Sequence, residues 1–320
     1  MEKFTWKASE PQTYDQRYEA NPPPLIQNTF NKNAGTSFTM NRPKASLTLE
    51  ADEPTSWPQT TGECQVSILQ GSLSYTWSSP DSVRVLNIGR TGGDHTVLDI
   101  ESALNIGDDA LLSFDFAQAT VHKDGTFNVT GQETMVSIYS SSLTLRNRSS
   151  AEWQSSQLKG QHAEVALSND SRMALFTKYM LADEGGINIT VTDNARLAIK
   201  AEHIYTLRGS NLVFNLSGEL SGIEFGPSGH VAPFDFTMPR SAENLNLITF
   251  NFITGAGAES NKTEIIFEGF KGRDLTNQKE ALLANGYLSY NGKVITDKEQ
   301  KIFTLYASQF TGRIEVSLME

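Results

Sequence analysis

Residues 103–114 read ALNIGDDALLSF, and residues 127–138 read FNVTGQETMVSI. In each stretch, two short segments that alternate apolar with polar residues flank a polar corner that begins with Gly. Alternation with a period of two is typical of half-buried strands. Gly, Asn and Asp readily adopt the left-handed backbone that a tight corner needs. Each stretch is therefore predicted to form a strand, a corner and a second strand.

This strand–corner–strand pattern recurs along the middle of the chain. Its corners lie at residues 107, 131, 147, 169, 193 and 218, and all but one of the steps between them span 22–25 residues. A period of roughly 20–50 residues indicates a stacked architecture, because each repeat buries its apolar face against the next. A sandwich of unrelated hairpins is the alternative, but the repeated order of strand and corner favours a solenoid. We therefore predict an all-β fold, a right-handed parallel β-helix.

The distribution of the repeats divides the chain into three predicted parts. Residues 1–45 are polar and rich in Pro, Asn and Gln, which predicts an extended N-terminal arm. Residues 46–226 carry the alternating segments and are predicted to form the β-solenoid. Residues 227–320 break the period, so we predict a C-terminal cap of strands with one short helix.

Two local signals lie in the predicted cap. A helix is predicted over residues 277–285, with Thr276 as its N-cap and Gly286 at its end. The sequence Tyr290-Asn291-Gly292-Lys293 predicts a type I′ turn between two antiparallel strands.

The corner segments at residues 106–111 (IGDDAL) and 191–197 (VTDNARL) carry a family resemblance. Together with the apparent final coil at residues 222–227 (GIEFGP), they resemble the passenger repeats of autotransporter-type adhesins, within the pectin-lyase-like parallel β-helix class. The resemblance implies a bacterial, non-catalytic, adhesin-like surface module. Such a module would present a rigid solenoid face to glycans or to other proteins.

Charge and composition restrict the partners and the compartment. The net charge is −11, from 26 basic and 37 acidic residues, which argues against nucleic acid or an anionic membrane surface. No apolar run approaches the ~20 residues of a membrane span. Cys64 is the single cysteine, so neither an intrachain disulfide nor a cysteine-based zinc site is expected. The N-terminal residues do not form a signal peptide, so we expect an extracellular or cell-surface protein if a signal was removed, and otherwise a cytoplasmic one.

Acidic corners and aromatic residues are the candidate ligand face. The aspartates could line one ridge if the coils stack in register, although corners also favour Asp for backbone reasons. The aromatic residues could stack on sugars, although aromatic side chains in β proteins also pack in the core. The predicted face comprises Asp108, Asp109, Asp170, Asp193, Trp153, Tyr139 and Tyr179.

The sequence contains no recognisable catalytic or cofactor motif. The motifs of serine hydrolases, P-loops, dinucleotide folds and calcium loops do not occur, and no two of the five histidines are four residues apart. No catalytic residue, cofactor or metal ligand is therefore predicted, and enzymatic activity is left open. Two alternatives remain beside the adhesin-like module. One is a structural or assembly protein such as a homo-oligomeric fibre segment, and the other is a polysaccharide lyase or glycoside hydrolase on the same scaffold.

Overall fold

The strands of this protein build a parallel β-solenoid of about 8 turns, and 56% of the chain is strand while 3% is helix. The computed structural model describes residues 1–27, 29–78, 84–90, 96–207, 209–241, 243, 247–254, 262–271, 274–296 and 301–319. The predicted all-β parallel solenoid is confirmed, whereas its handedness stays a prediction. Among the described helices, none is long and apolar enough to cross a bilayer.

The chain divides into two compact units, Met1–Ser156 and Gln157–Glu320. Short strands separated by corners dominate the first unit, and its last strand, β14 (Ser150–Leu167), contains the division. The other strands of this unit are β1 (Gln12–Tyr14), β2 (Leu25–Gln27), β3 (Thr36–Ala51), β4 (Thr55–Trp57), β5 (Cys64–Trp77), β6 (Val85–Gly89), β7 (Thr96–Ile100), β8 (Ala103–Ile106), β9 (Leu111–Asp115), β10 (Ala117–Val121), β11 (Thr126–Val129), β12 (Met135–Tyr139) and β13 (Ser142–Leu145).

In the first unit, three strands and their corners make one turn of the solenoid. The turn β7–β8–β9 pairs in parallel with the turn β10–β11–β12, strand on equivalent strand. This register places Leu104 opposite Phe127 and Phe114 opposite Ile138. All four side chains are buried. The apolar alternation in each strand is therefore the inward face of a turn, and stacking of successive turns builds the core.

The second unit begins with two long strands, β15 and β16, and ends in antiparallel ones. Its elements are β15 (Arg172–Val191), β16 (Arg196–Thr206), β17 (Leu212–Leu216), β18 (Gly222–Pro227), β19 (Ile248–Phe252), β20 (Glu264–Phe267), α1 (Leu275–Ala284), β21 (Leu288–Tyr290), β22 (Lys293–Val294), β23 (Phe303–Ser308) and β24 (Arg313–Leu318).

Parallel pairing extends beyond residues 46–226 at both ends. The predicted boundary after residue 45 falls inside β3, which pairs in parallel with β1 and β5. Beyond residue 226, β19 pairs with β17 and β20 pairs with β18, again in parallel. The register of β17 on β19 places Leu216 opposite Phe252, a longer step than the 22–25 residues of most corners. Inserted loop residues thus conceal the repeat in the sequence.

The C-terminal strands close the edge of the parallel sheet. β24 pairs antiparallel with β20 on one side and with β23 on the other. Ile314 and Val316 of β24 are fully buried. This arrangement covers a strand edge that would otherwise be free to pair with another chain.

The predicted helix and turn are both present. The helix begins at Leu275, and its N-cap is Asp274 rather than Thr276, because the Asp274 carboxylate accepts a hydrogen bond of 3.1 Å from the backbone N–H of Asn277. β21 and β22 pair antiparallel around Asn291 and Gly292, whose φ angles are 50° and 79°. Positive φ at both central residues is what a type I′ turn requires.

An amide ladder crosses the turns of the second unit. The side-chain N–H of Asn215 donates to Oδ1 of Asn188 at 2.6 Å, and that of Asn251 donates to Oδ1 of Asn215 at 2.8 Å. Oδ1 of Asn251 accepts from the Ser289 hydroxyl at 3.0 Å and from the Gly292 N–H at 2.9 Å. The ladder therefore links β15, β17, β19 and the β21–β22 turn in addition to their backbone pairing.

Candidate functional site

The four predicted aspartates lie at exposed corners of their turns. Asp108, Asp170 and Asp193 have φ angles of 65°, 63° and 52°, in the left-handed region that tight corners use. Oδ1 of Asp109 accepts a hydrogen bond of 3.0 Å from the backbone N–H of Glu133 in the next turn. Turn geometry accounts for these aspartates, and their part in a ligand face stays a prediction.

The three predicted aromatic residues occupy different environments. Trp153 is 1% exposed and stacks on Phe114 with ring centroids 5.7 Å apart, so its indole is part of the core and cannot contact a ligand. Tyr139 is half-buried and packs edge to face against Phe116 at 5.5 Å. Tyr179, also half-buried, stacks on the exposed imidazole of His203 at 5.5 Å with 12° between the planes. Tyr179 therefore lies next to a concave surface, because His203 lines the groove described below.

A groove of about 570 Å³ lies in the second unit. One wall is contributed by β16 near its C-terminal end, and the other by the segment that follows β18 together with the residue preceding β21. The lining residues that offer an aromatic ring or a polar group are Glu202, His203, Tyr205, His230, Phe234, Asp235 and Tyr287.

Apolar surface and fixed polar groups coexist in this groove. Val231 and Met238 line it and are 56% and 49% exposed. The Tyr287 hydroxyl donates to the Met238 carbonyl oxygen at 3.0 Å, and Oδ1 of Asp235 accepts from the Gln278 amide at 2.7 Å. The walls are therefore held by hydrogen bonds while apolar and aromatic faces stay open to a ligand, as is usual for small-molecule sites.

Tyr205 is the half-buried aromatic residue at the end of β16. Burial raises the pKa of its phenol, and the nearby Tyr179 raises it further. The phenol therefore stays protonated at neutral pH and can donate a hydrogen bond. Tyr179, His203 and Tyr205 together form what we call the aromatic row.

The sequence did not predict the groove. Of the predicted residues, Tyr179 lies beside it, because it stacks on His203. One signal was available in residues 201–204 (AEHI), where polar Glu202 and His203 stand together between apolar Ala201 and Ile204. Two successive polar residues interrupt the period-two alternation, while β15 and β16 keep the same register on both sides of them. The opposite wall gave no signal, because it comes from an irregular segment more than twenty residues later in the chain.

A second cluster of chemically active side chains lies in the first unit. Asp99, Glu101 and His122 each place one potential metal-ligand atom within 4.8 Å of the other two. All three residues are half-buried. Of the remaining histidines, His95 lies outside the described residues, and His162 is exposed. The sequence analysis predicted no metal ligand, because Asp99 and His122 are 23 residues apart, about one turn of the solenoid.

Comparison with known proteins finds no family model that matches the chain, no curated protein that is significantly similar to it, and no solved structure that is significantly similar either.

Proposed function

We propose that this chain is a non-catalytic, adhesin-like interaction module that binds a neutral saccharide in the groove of its second unit. The observation that carries the proposal is the combination of a groove of about 570 Å³ with the aromatic row at its edge. The resemblance of the corner segments to adhesin passenger repeats supports a role at a cell surface.

The groove has the size and composition that small ligands require. Ligand sites typically measure roughly 300–1,000 Å³ and combine apolar walls with a few well-placed polar groups. Flat aromatic faces such as those of Tyr205 and His203 suit the apolar face of a sugar ring, while carboxylate and imidazole groups can bond to its hydroxyls. A neutral sugar is favoured over an acidic one, because Glu202 and Asp235 line the groove and the chain carries a net charge of −11.

A glycan array followed by calorimetric titration tests the proposal. We expect selective binding of neutral oligosaccharides and about 10-fold weaker binding by the Tyr205→Ala variant, since an aromatic contact contributes up to about 1.5 kcal/mol. The matched control is Tyr306→Ala, which removes a tyrosine that is 58% exposed and lies in β23, outside the groove lining. The absence of binding above background, or an equal loss in both variants, would refute the proposal.

Product analysis in the same samples separates binding from catalysis. Two carboxylates, those of Glu202 and Asp235, line the groove, and glycoside hydrolases use a pair of carboxylates. A non-catalytic module leaves the bound oligosaccharide intact. New reducing ends or unsaturated products that disappear in the Glu202→Gln variant would establish the enzymatic alternative instead.

A further inference from the structure

Stacking of two turns brings an imidazole onto two carboxylates in the first unit. Asp99 lies in β7, Glu101 follows directly after that strand, and His122 follows directly after β10. The parallel register places Ile100 opposite Val121, and the His122 backbone N–H donates to the Ile100 carbonyl oxygen at 3.0 Å. Because residues two apart project from the same face of a strand, the two acidic side chains both face outward, beside that of His122.

The three ligand atoms lie near one another, and a metal ion between them would have to replace the hydrogen bond that now joins His122 to Asp99. Nε2 of His122 lies 2.6 Å from Oδ1 of Asp99 and 3.5 Å from Oε1 of Glu101. A tetrahedral ion with ligand bonds of about 2.0–2.2 Å holds its ligand atoms about 3.3–3.6 Å apart. The distance between His122 and Glu101 already matches this spacing, whereas His122 and Asp99 would have to move apart. The side chains of Asp99, Glu101 and His122 are 33%, 20% and 15% exposed, so one side of the cluster remains open to solvent.

From this geometry we propose that Asp99, Glu101 and His122 bind a divalent transition metal of the zinc type, with solvent at the open position. An imidazole nitrogen together with carboxylate oxygens suits zinc, whereas calcium and magnesium prefer oxygen ligands alone. Two carboxylates balance the charge of the ion. The proposal does not depend on saccharide binding.

Lys123 organises the cluster from the same corner as His122. Its ammonium donates to Oε2 of Glu101, while Oε1 of that carboxylate is the atom near His122. Lys123 therefore binds Oε2 of Glu101, leaves Oε1 available to the metal, and fixes the orientation of the carboxylate. Groups that orient a ligand in this way commonly tune metal affinity.

Without a metal, His122 and Asp99 share a hydrogen bond, so the experiment must separate the metal-bound state from this metal-free one. We would titrate the chelator-treated 320-residue chain with Zn²⁺ by calorimetry, and with Co²⁺ by visible absorption. We expect one Zn²⁺ per chain with His122 as a ligand. The His122→Gln variant keeps a hydrogen-bonding side chain of similar length, and it should bind at least about 10-fold more weakly, the lower limit seen when an orienting partner is lost.

Two further variants complete the test. Glu101→Gln should also weaken Zn²⁺ binding, and it provides a second test if His122→Gln does not fold. The matched control His162→Gln changes an exposed histidine outside the cluster and should bind as the unmodified protein does. No Zn²⁺ binding by the unmodified protein, or unchanged binding by the folded cluster variants, would overturn the proposal.

Discussion

Lys32 is a fully buried cation in the first unit. Its ammonium donates to the backbone oxygens of Lys7 and Glu10 at 2.7 and 3.1 Å and to Oε1 of Gln12 at 3.1 Å. The ammonium also lies 4.5 Å from the centre of the Trp6 ring. These contacts tie the N-terminal residues to the solenoid. Burial nevertheless lowers the pKa of Lys32 from 10.5 to about 8, because the charged form loses its hydration.

This pKa shift predicts how stability depends on pH. Between pH 8 and pH 10.5 the unfolded chain keeps the Lys32 proton while the folded chain releases it. Raising the pH through this window therefore favours the folded state. We expect the free energy of unfolding of the unmodified protein to rise relative to that of Lys32→Met, which cannot titrate. Denaturant titrations of both proteins at about pH 7 and about pH 10 measure the difference. A difference that is equal at both pH values would contradict the assignment.

Among the secondary-structure elements, the amide ladder joins strands that are distant in sequence. Asn251 is its most connected member, because it bonds Asn215, Ser289 and the Gly292 N–H, and its side chain is buried. We expect Asn251→Ala to lower the free energy of unfolding by about 1–3 kcal/mol, since it leaves buried polar groups unpaired.

The exposed end of the ladder supplies the matched control. Asn188 is exposed and accepts one ladder bond, from Asn215. Asn188→Ala should therefore cost less than about 1 kcal/mol. Denaturant unfolding compares the two variants. Equal losses would mean that the ladder adds nothing beyond ordinary surface hydrogen bonds.

The elements that sequence predicted best are those whose signals are local. The turn at Asn291 and Gly292 is encoded by two adjacent residues, and the strands around residues 103–114 by alternation within a dozen positions. β19 and β20 were not recognised as further turns, because inserted loops lengthen the spacing between them and the preceding turn. Local pattern is thus sufficient for strands and corners but not for the extent of the stacking.

The candidate sites were largely hidden because their residues meet only after the turns stack. The groove combines β16 with a later irregular segment, and the His122 cluster combines two neighbouring turns. Trp153 was predicted as a ligand residue but is buried. A Trp in a strand can either stack on a sugar or pack in the core, and the sequence does not distinguish the two. Asp99 and His122 are separated by about the length of one turn. In a solenoid, this spacing indicates side chains that come together in neighbouring turns.

For the molecule as a whole, net charge and strand edges act in opposite directions on association between chains. A net charge of −11 opposes association of the chains. An open strand edge acts in the other direction, because its free N–H and C=O groups can pair with another chain. In the second unit, β24 covers β20, and Val316 at the centre of β24 is fully buried opposite Ile265 and Leu305.

Disrupting this closing strand should therefore promote self-association. In Val316→Asp the buried carboxylate opposes docking of β24, so the edge of β20 becomes available to other chains. We expect larger species that increase with protein concentration in size-exclusion chromatography with light scattering. Met319→Asp is the matched control, because that side chain lies beyond β24 and is 47% exposed, and it should elute as the unmodified protein does. If Val316→Asp also kept the unmodified elution and melting temperature, closure by β24 would not be what limits association.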